Sequence, residues 1–220
     1  YDAFILDPDT GKIIYATDQG VYGAAKFPLT GSIDIEPMRK TIPVFKCGSL
    51  VLFDFVDPST FVEPWRVELL TMPGYTVPFF YGGVTSTVKP IALLFLKPGE
   101  TYLVKMTDNQ YNLIGLLTNS SDDHPEGSGF TVDVGETVYI CNTLARASQD
   151  LYRLDNLRYQ SLSRYGIGDV EAYKNHNRVA VLLKEIDEAL NNGRYLEAYS
   201  KSFTALQLSI KVYSILKDLT

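Results

Sequence analysis

The chain carries only two histidines, His124 and His176, and two cysteines, Cys47 and Cys141, so Ser-His-Asp, Cys-His or zinc chemistry would have to recruit them. His124 stands beside Asp122, Asp123 and Glu126, an acidic grouping that looks like a cation site. Its spacing matches neither an EF-hand loop nor a zinc pattern, and it reads as a solvated acidic loop. His176, between Asn175 and Asn177 in a helical stretch, reads as a solvated helix residue. No Gly-x-Ser-x-Gly elbow surrounds a serine. The glycine clusters Gly82-Gly83 and Gly127-Ser128-Gly129 lack the Lys-Ser/Thr pair of a phosphate loop. Carboxylates are abundant, but a pair spaced for hydrolysis cannot be recognised from a sequence. No catalytic or metal-ligating role is assigned to any residue, and no cofactor is implied.

Binding chemistry has one concentrated candidate. In the segment Pro73-Gly74-Tyr75-Thr76-Val77-Pro78-Phe79-Phe80-Tyr81-Gly82-Gly83, the aromatics Tyr75, Phe79, Phe80 and Tyr81 lie between glycines and prolines. They form either an exposed rim for a carbohydrate or protein partner or the cap of a β-sheet core. Cys47 and Cys141 both fall in strand-like segments, where they are either one disulfide closing a long loop or two buried free thiols. Asn119-Ser120-Ser121 fits the N-glycosylation acceptor pattern.

The elements that must carry these residues change character once along the chain. Up to about residue 141, short apolar runs alternate with turn chemistry. Asp7-Pro8-Asp9-Thr10-Gly11 separates strand-like segments 2–6 and 12–17, and Asp18-Gln19-Gly20 follows. Residues 49–56 read as a strand, and 65–71 alternate with Trp65, Val67 and Leu69 on one face and Arg66 and Glu68 on the other. Two Gly-Glu-Thr turns, at Gly99 and Gly135, each feed an apolar strand, as in antiparallel sandwiches. Residues 118–129 are polar and read as a surface loop. From Leu144 onward there is no proline and the period becomes helical. Leu144, Ala147, Leu151, Leu154 and Tyr165 trace a first stripe that ends at Gly166. A second helix starts after the N-cap Asp169 and carries Val179, Leu183, Ile186 and Leu190 to the break at Asn191-Asn192-Gly193. A third, from Tyr195, carries Tyr199, Phe203, Leu206, Ile210 and Tyr213. Each stripe needs a partner on one face. The expected fold is α+β by segregation: an antiparallel β-sandwich over residues 1–141, then a three-helix segment over 142–220.

The net charge of −6 gives no basic footprint for nucleic acid. The longest apolar stretch, residues 91–96, is too short to span a bilayer, so membrane attachment would come through segments outside this chain. Tyr1 in place of a methionine suggests a piece excised from something larger. The opening turns, Asp7-Pro8-Asp9-Thr10-Gly11 and Thr17-Asp18-Gln19-Gly20, resemble the rhythm of carboxypeptidase-regulatory-like and other Ig-like export domains. The tail, with Asp150-Leu151-Tyr152-Arg153-Leu154 and Arg164-Tyr165-Gly166-Ile167, resembles helical segments in extracytoplasmic regions of archaeal and bacterial membrane proteins. The resemblance implies a non-enzymatic, extracytoplasmic binding or spacer module of a membrane-anchored or cell-surface protein. A hydrolase with a carboxylate site in the β-body and a cytosolic adaptor using its helical tail are the alternatives.

Overall fold

The computed structural model of the protein describes residues 3–20, 42–62, 64, 66–86 and 89–219. Trp65 and most of the irregular stretch before Cys47 lie outside the described residues.

Among the described residues, ten strands form three sheets. The first holds β1 (Phe4–Leu6), β2 (Ile13–Thr17) and β3 (Val44–Lys46), all antiparallel. The second runs in the order β10 (Thr137–Ile140), β4 (Gly48–Phe53), β7 (Ile91–Leu96), β6 (Tyr81–Ser86). The third runs β5 (Arg66–Met72), β8 (Thr101–Thr107), β9 (Leu113–Leu117). Leu50, Leu52 and Leu94 of the second sheet meet Leu69, Val104, Met106 and Leu117 of the third in the main core. The opposite face of the second sheet is covered by the first, where Phe95 and Cys47 pack with Ala16 and Phe45. The apolar run 91–96 is thereby explained: β7 is buried on both faces and has no wet side to alternate with.

The body is not purely antiparallel, as the turn rhythm suggested. β10 lies parallel to β4, pairing Thr137 with Ser49 and Ile140 with Leu52. A parallel neighbour needs a long crossover, here the whole of β5–β9, and short-range turn signals carry no trace of it.

The helices fall where their caps and stripes place them. They are α1 (Thr143–Ser163), α2 (Val170–Asn191) and α3 (Tyr195–Asp218). Asn142 Oδ1 accepts from Ala145 N–H, and Asp169 Oδ1 accepts from Ala172 N–H, so each caps its helix. Gly166 and Gly193 adopt φ of 71° and 69° and close α1 and α2 with paired main-chain bonds, Ile167 N–H to Leu162 O and Arg194 N–H to Ala189 O among them. Two readings change. Tyr165 lies past the end of its stripe and is exposed. α3 packs on two sides: Tyr199, Phe203, Leu206, Ile210 and Tyr213 meet the main core, while Ala198 and Ala205 meet α2.

The change from strand to helix at 141/142 is not a break in the core. Leu144, Ala147 and Leu151 of α1 and Leu206 of α3 belong to the same cluster as Leu50 and Val104. Leu151→Ala, at a fully buried position, is expected to cost about 2–5 kcal/mol. Urea unfolding should show strand and helix signals moving together in one transition; two separated transitions would contradict the shared core.

Charge is also buried between the helices. Asp155 is fully buried, its oxygens accept no hydrogen bond, and the nearest cation is Arg158 Nη1 at 3.7 Å. Burial pushes its carboxyl up to about 7, against the pull of Arg158. His176 is buried rather than solvated: its ring stacks on Tyr152 at 4.3 Å, and burial lowers its pKa. With Asp155 titrating near 7 instead of at its ordinary 3.8, the folded chain keeps a proton that the unfolded chain releases. Stability present at low pH is therefore lost as pH rises through that window. His176 has the opposite sign, losing stability as pH falls below its ordinary 6.5. Asp155→Asn should remove the first slope and leave the second. Urea unfolding of both proteins at about pH 5 and about pH 8 should show the variant gaining relative stability at the higher pH.

Candidate functional site

The polar stretch 118–129 is tied down rather than loose. The carboxylate of Asp150, on α1 and fully buried, accepts from Thr118 N–H (2.7 Å), Asn119 N–H (3.1 Å), Ser120 N–H (3.0 Å) and Ser120 Oγ–H (2.6 Å). Arg146 Nε lies 3.4 Å from the same carboxylate, and its Nη2 donates to Asn119 Oδ1 and Ser120 O. Arg153 donates to Ser120 O and Oγ and pairs with Asp122 at 3.0 Å. These residues stand at i, i+4 and i+7 on one helix face. That polar stripe, beside the apolar one, is the signal by which the sequence could have revealed the contact.

Pinning the loop on α1 shapes one wall of a two-part groove. α2 packs mainly on α3 and more lightly on α1. The first hollow, about 520 Å³, runs between Tyr152 and Asn156 of α1 and Leu183 and Lys184 of α2, with Asp122 and Pro125 at its end. The second, about 500 Å³, is bounded by the end of β10, the starts of α1 and α3 and the end of α2. Gln149 and Asp187 line both hollows, which therefore lie side by side. The second hollow has flat aromatic and acidic walls. Tyr139 and Tyr195 are 62% and 71% exposed. Asp54 and Asp187 carry no hydrogen bond or ion pair from a side chain among the described residues. Burial pushes the Asp54 carboxyl above its ordinary value, and Tyr199 is raised by its own burial and by the charge of Asp54.

The aromatics singled out in the sequence lie outside these hollows and split in burial, two exposed and two half-buried. Tyr75 and Phe79 are exposed, Phe80 packs 6.1 Å from Phe45 with Lys97 over its ring, and Tyr81 packs against the main core. Cys47 and Cys141 are both free, one buried and one exposed. The parallel register sets them at opposite ends of the β4–β10 pair: Gly135 N–H bonds Cys47 O, and Cys141 follows β10. At about 3.3 Å per residue the separation is on the order of 20 Å, so the disulfide alternative is withdrawn. Asn119 of the glycosylation tripeptide is a structural residue, its Nδ2 donating to Gly129 O at 2.8 Å. His124 is exposed and closes a turn through its main chain, with its carbonyl accepting from Ser121 and Gly127. Among the described residues no three metal-ligating side chains come together.

No family model, no curated protein and no solved structure matches the chain.

Asp150→Ala would leave three buried main-chain donors and Arg146 without their acceptor, at an expected cost of about 3–5 kcal/mol. Urea unfolding should show that loss. Hydrogen exchange should show faster exchange at the amides of Thr118, Asn119 and Ser120 than at β8.

Proposed function

We propose that this protein is a non-enzymatic binding module whose ligand lies in the groove between α1, α2 and the end of β10. The observation that carries the reading is two adjacent hollows that share Gln149 and Asp187, with one wall held by the Asp150 clamp. Rigid walls limit the ordering cost of binding, and the mix of tyrosine faces, amides and carboxylates gives direction to a ligand. The groove draws on the β-body and the helical tail together.

The same reading places the module outside the cytoplasm, as part of a membrane-anchored or cell-surface protein. That placement rests on the resemblance of the opening turns and the helical tail to export domains; the distant cysteines lend it nothing. No helix among the described residues is long and apolar enough to cross a membrane, and in this proposal the anchor belongs to segments outside the chain. The hydrolase alternative gains little from Asp155, whose shifted carboxyl is sealed from any substrate.

Gln149→Trp would add bulk where the two hollows adjoin, from a half-buried position. Wild type and variant should be screened against a random peptide display library and a glycan array, with circular dichroism to confirm folding. Ligands of wild type are expected to bind the variant at least about tenfold more weakly, a change of about 1.4 kcal/mol. Ligands indifferent to the substitution, or no ligand at all, would overturn the reading.

A further inference from the structure

A strand at the edge of a sheet presents unpaired N–H and C=O groups, and folded proteins usually cover or cap them. This fold does so along β6. There Gln19 acts as a short surrogate strand: its Nε2 donates to Gly83 O at 3.0 Å, its Oε1 accepts from Gly83 N–H at 3.0 Å, and its own N–H reaches Tyr81 O.

β10 is treated differently. Ser49 N–H bonds Glu136 O, and the parallel register then turns the main-chain groups of Val138 and Ile140 towards β4. Those of Thr137, Tyr139 and Cys141 point the other way, and no other described strand pairs with them. The open edge forms one wall of the second hollow, with Val138, Tyr139, Ile140 and Cys141 in line along it. The facing wall is helical. An edge strand opposite a helical wall is the geometry by which an extended peptide adds to a sheet, with main-chain bonds giving affinity and alternate side chains entering the flanking space.

Charge narrows the occupant. Asp54 and Asp187 face the hollow without a cation. Arg146, which also lines it, is engaged by Asp150, Asn119 and Ser120. Half-buried Asp54 has lost part of its hydration without gaining a partner, so a ligand ammonium or guanidinium would supply what the fold leaves out. We propose that the groove binds an extended peptide that adds as a strand beside β10 and directs a lysine or arginine side chain towards Asp54 and Asp187. This inference rests on the groove being the binding site and names the ligand it takes.

The probe is the peptide acetyl-Thr-Val-Thr-Lys-Thr-Val-Thr-amide. Its controls carry Glu at the centre or N-methyl groups along one edge. Bound to isotope-labelled protein, the lysine peptide should slow exchange of the Tyr139 and Cys141 amides at least about tenfold. Both controls should bind at least about tenfold more weakly. Tyr139→Pro should abolish binding with the melting temperature little changed, because proline there removes only the outward N–H of an edge strand. The N-methylated peptide tests the same bond from the ligand side if that variant does not fold. Asp54→Asn, tolerated at its φ of 55°, should reduce the preference for Lys over Glu.

Failure of the lysine peptide to bind, or binding indifferent to both Tyr139→Pro and N-methylation, would overturn strand addition. So would self-association of the free protein that Tyr139→Pro abolishes, since a second copy would then own the edge. If only glycans bind, and Gln149→Trp blocks them, the groove reading stands and the peptide falls. If Gln149→Trp blocks nothing, both fall.

Discussion

A carboxylate sealed from water is tolerated only where donors surround it, and it therefore dictates where those donors must be. Asp150 does this at the meeting point of the two halves of the chain. Its acceptors take the N–H groups of three successive residues leaving β9, which fixes the backbone path there and not merely a side-chain position. Asn119 can then hold φ of 55°, and its amide ties the far end of the loop back through Gly129. The same helix face presents Arg146 and Arg153 to the next carbonyl, so the loop is clamped on both its donors and its acceptors. Without that clamp α1 would have apolar contact with the third sheet but no defined rotation about its axis, and the groove wall would have no fixed shape.

The layers around this junction follow from how many faces each sheet must bury. The second sheet lies in the middle, its main-core face on the third sheet and its other face on the short first sheet. The third sheet has the second on one side and receives α1 and α3 at β9. Small side chains let the last helix come close: Ser202 and Ser209 of α3 return their hydroxyls to Ala198 O and Ala205 O and also meet Asn142 and Ser148 of α1. α3 thus serves as the common partner of α1 and α2, and the room between those two helices is the consequence.

Much of the local architecture was legible in the residues. Asp169, Gly166 and Gly193 act as caps and stops through bonds that reach only a few positions along the chain, and the apolar stripes of three helices follow from a single period. Pairings over long distances were not legible. Nothing near Thr137 says that Ser49 is its neighbour, so the parallel pair and the separation of the cysteines stayed hidden. His176 was misread because its flanking asparagines are polar; its burial comes from Tyr152 on another helix. In the aromatic segment 73–83 successive residues in and before a strand point to different layers: Phe80 packs beside Phe45, Tyr81 lies on the main core, and Tyr75 and Phe79 are exposed. The groove had no local signature at all: its walls come from β10, α1, α2 and α3, and Asp54 joins them only because β4 ends beside β10.

The distribution of contacts along the chain also sets an order in time. α2 and α3 lie next to each other in sequence, and their mutual packing closes only a short loop. Joining them to the body is a different matter: Gln207 bonds the carbonyl of Pro58 across 149 positions, and Leu206 enters a core built around Leu50. Closing such long loops is entropically slow, and it yields nothing until both sides are already formed. The trough beside β10 is therefore among the last features to appear as the chain folds. In the proposed reading, a ligand of that trough selects finished molecules over nearly finished ones.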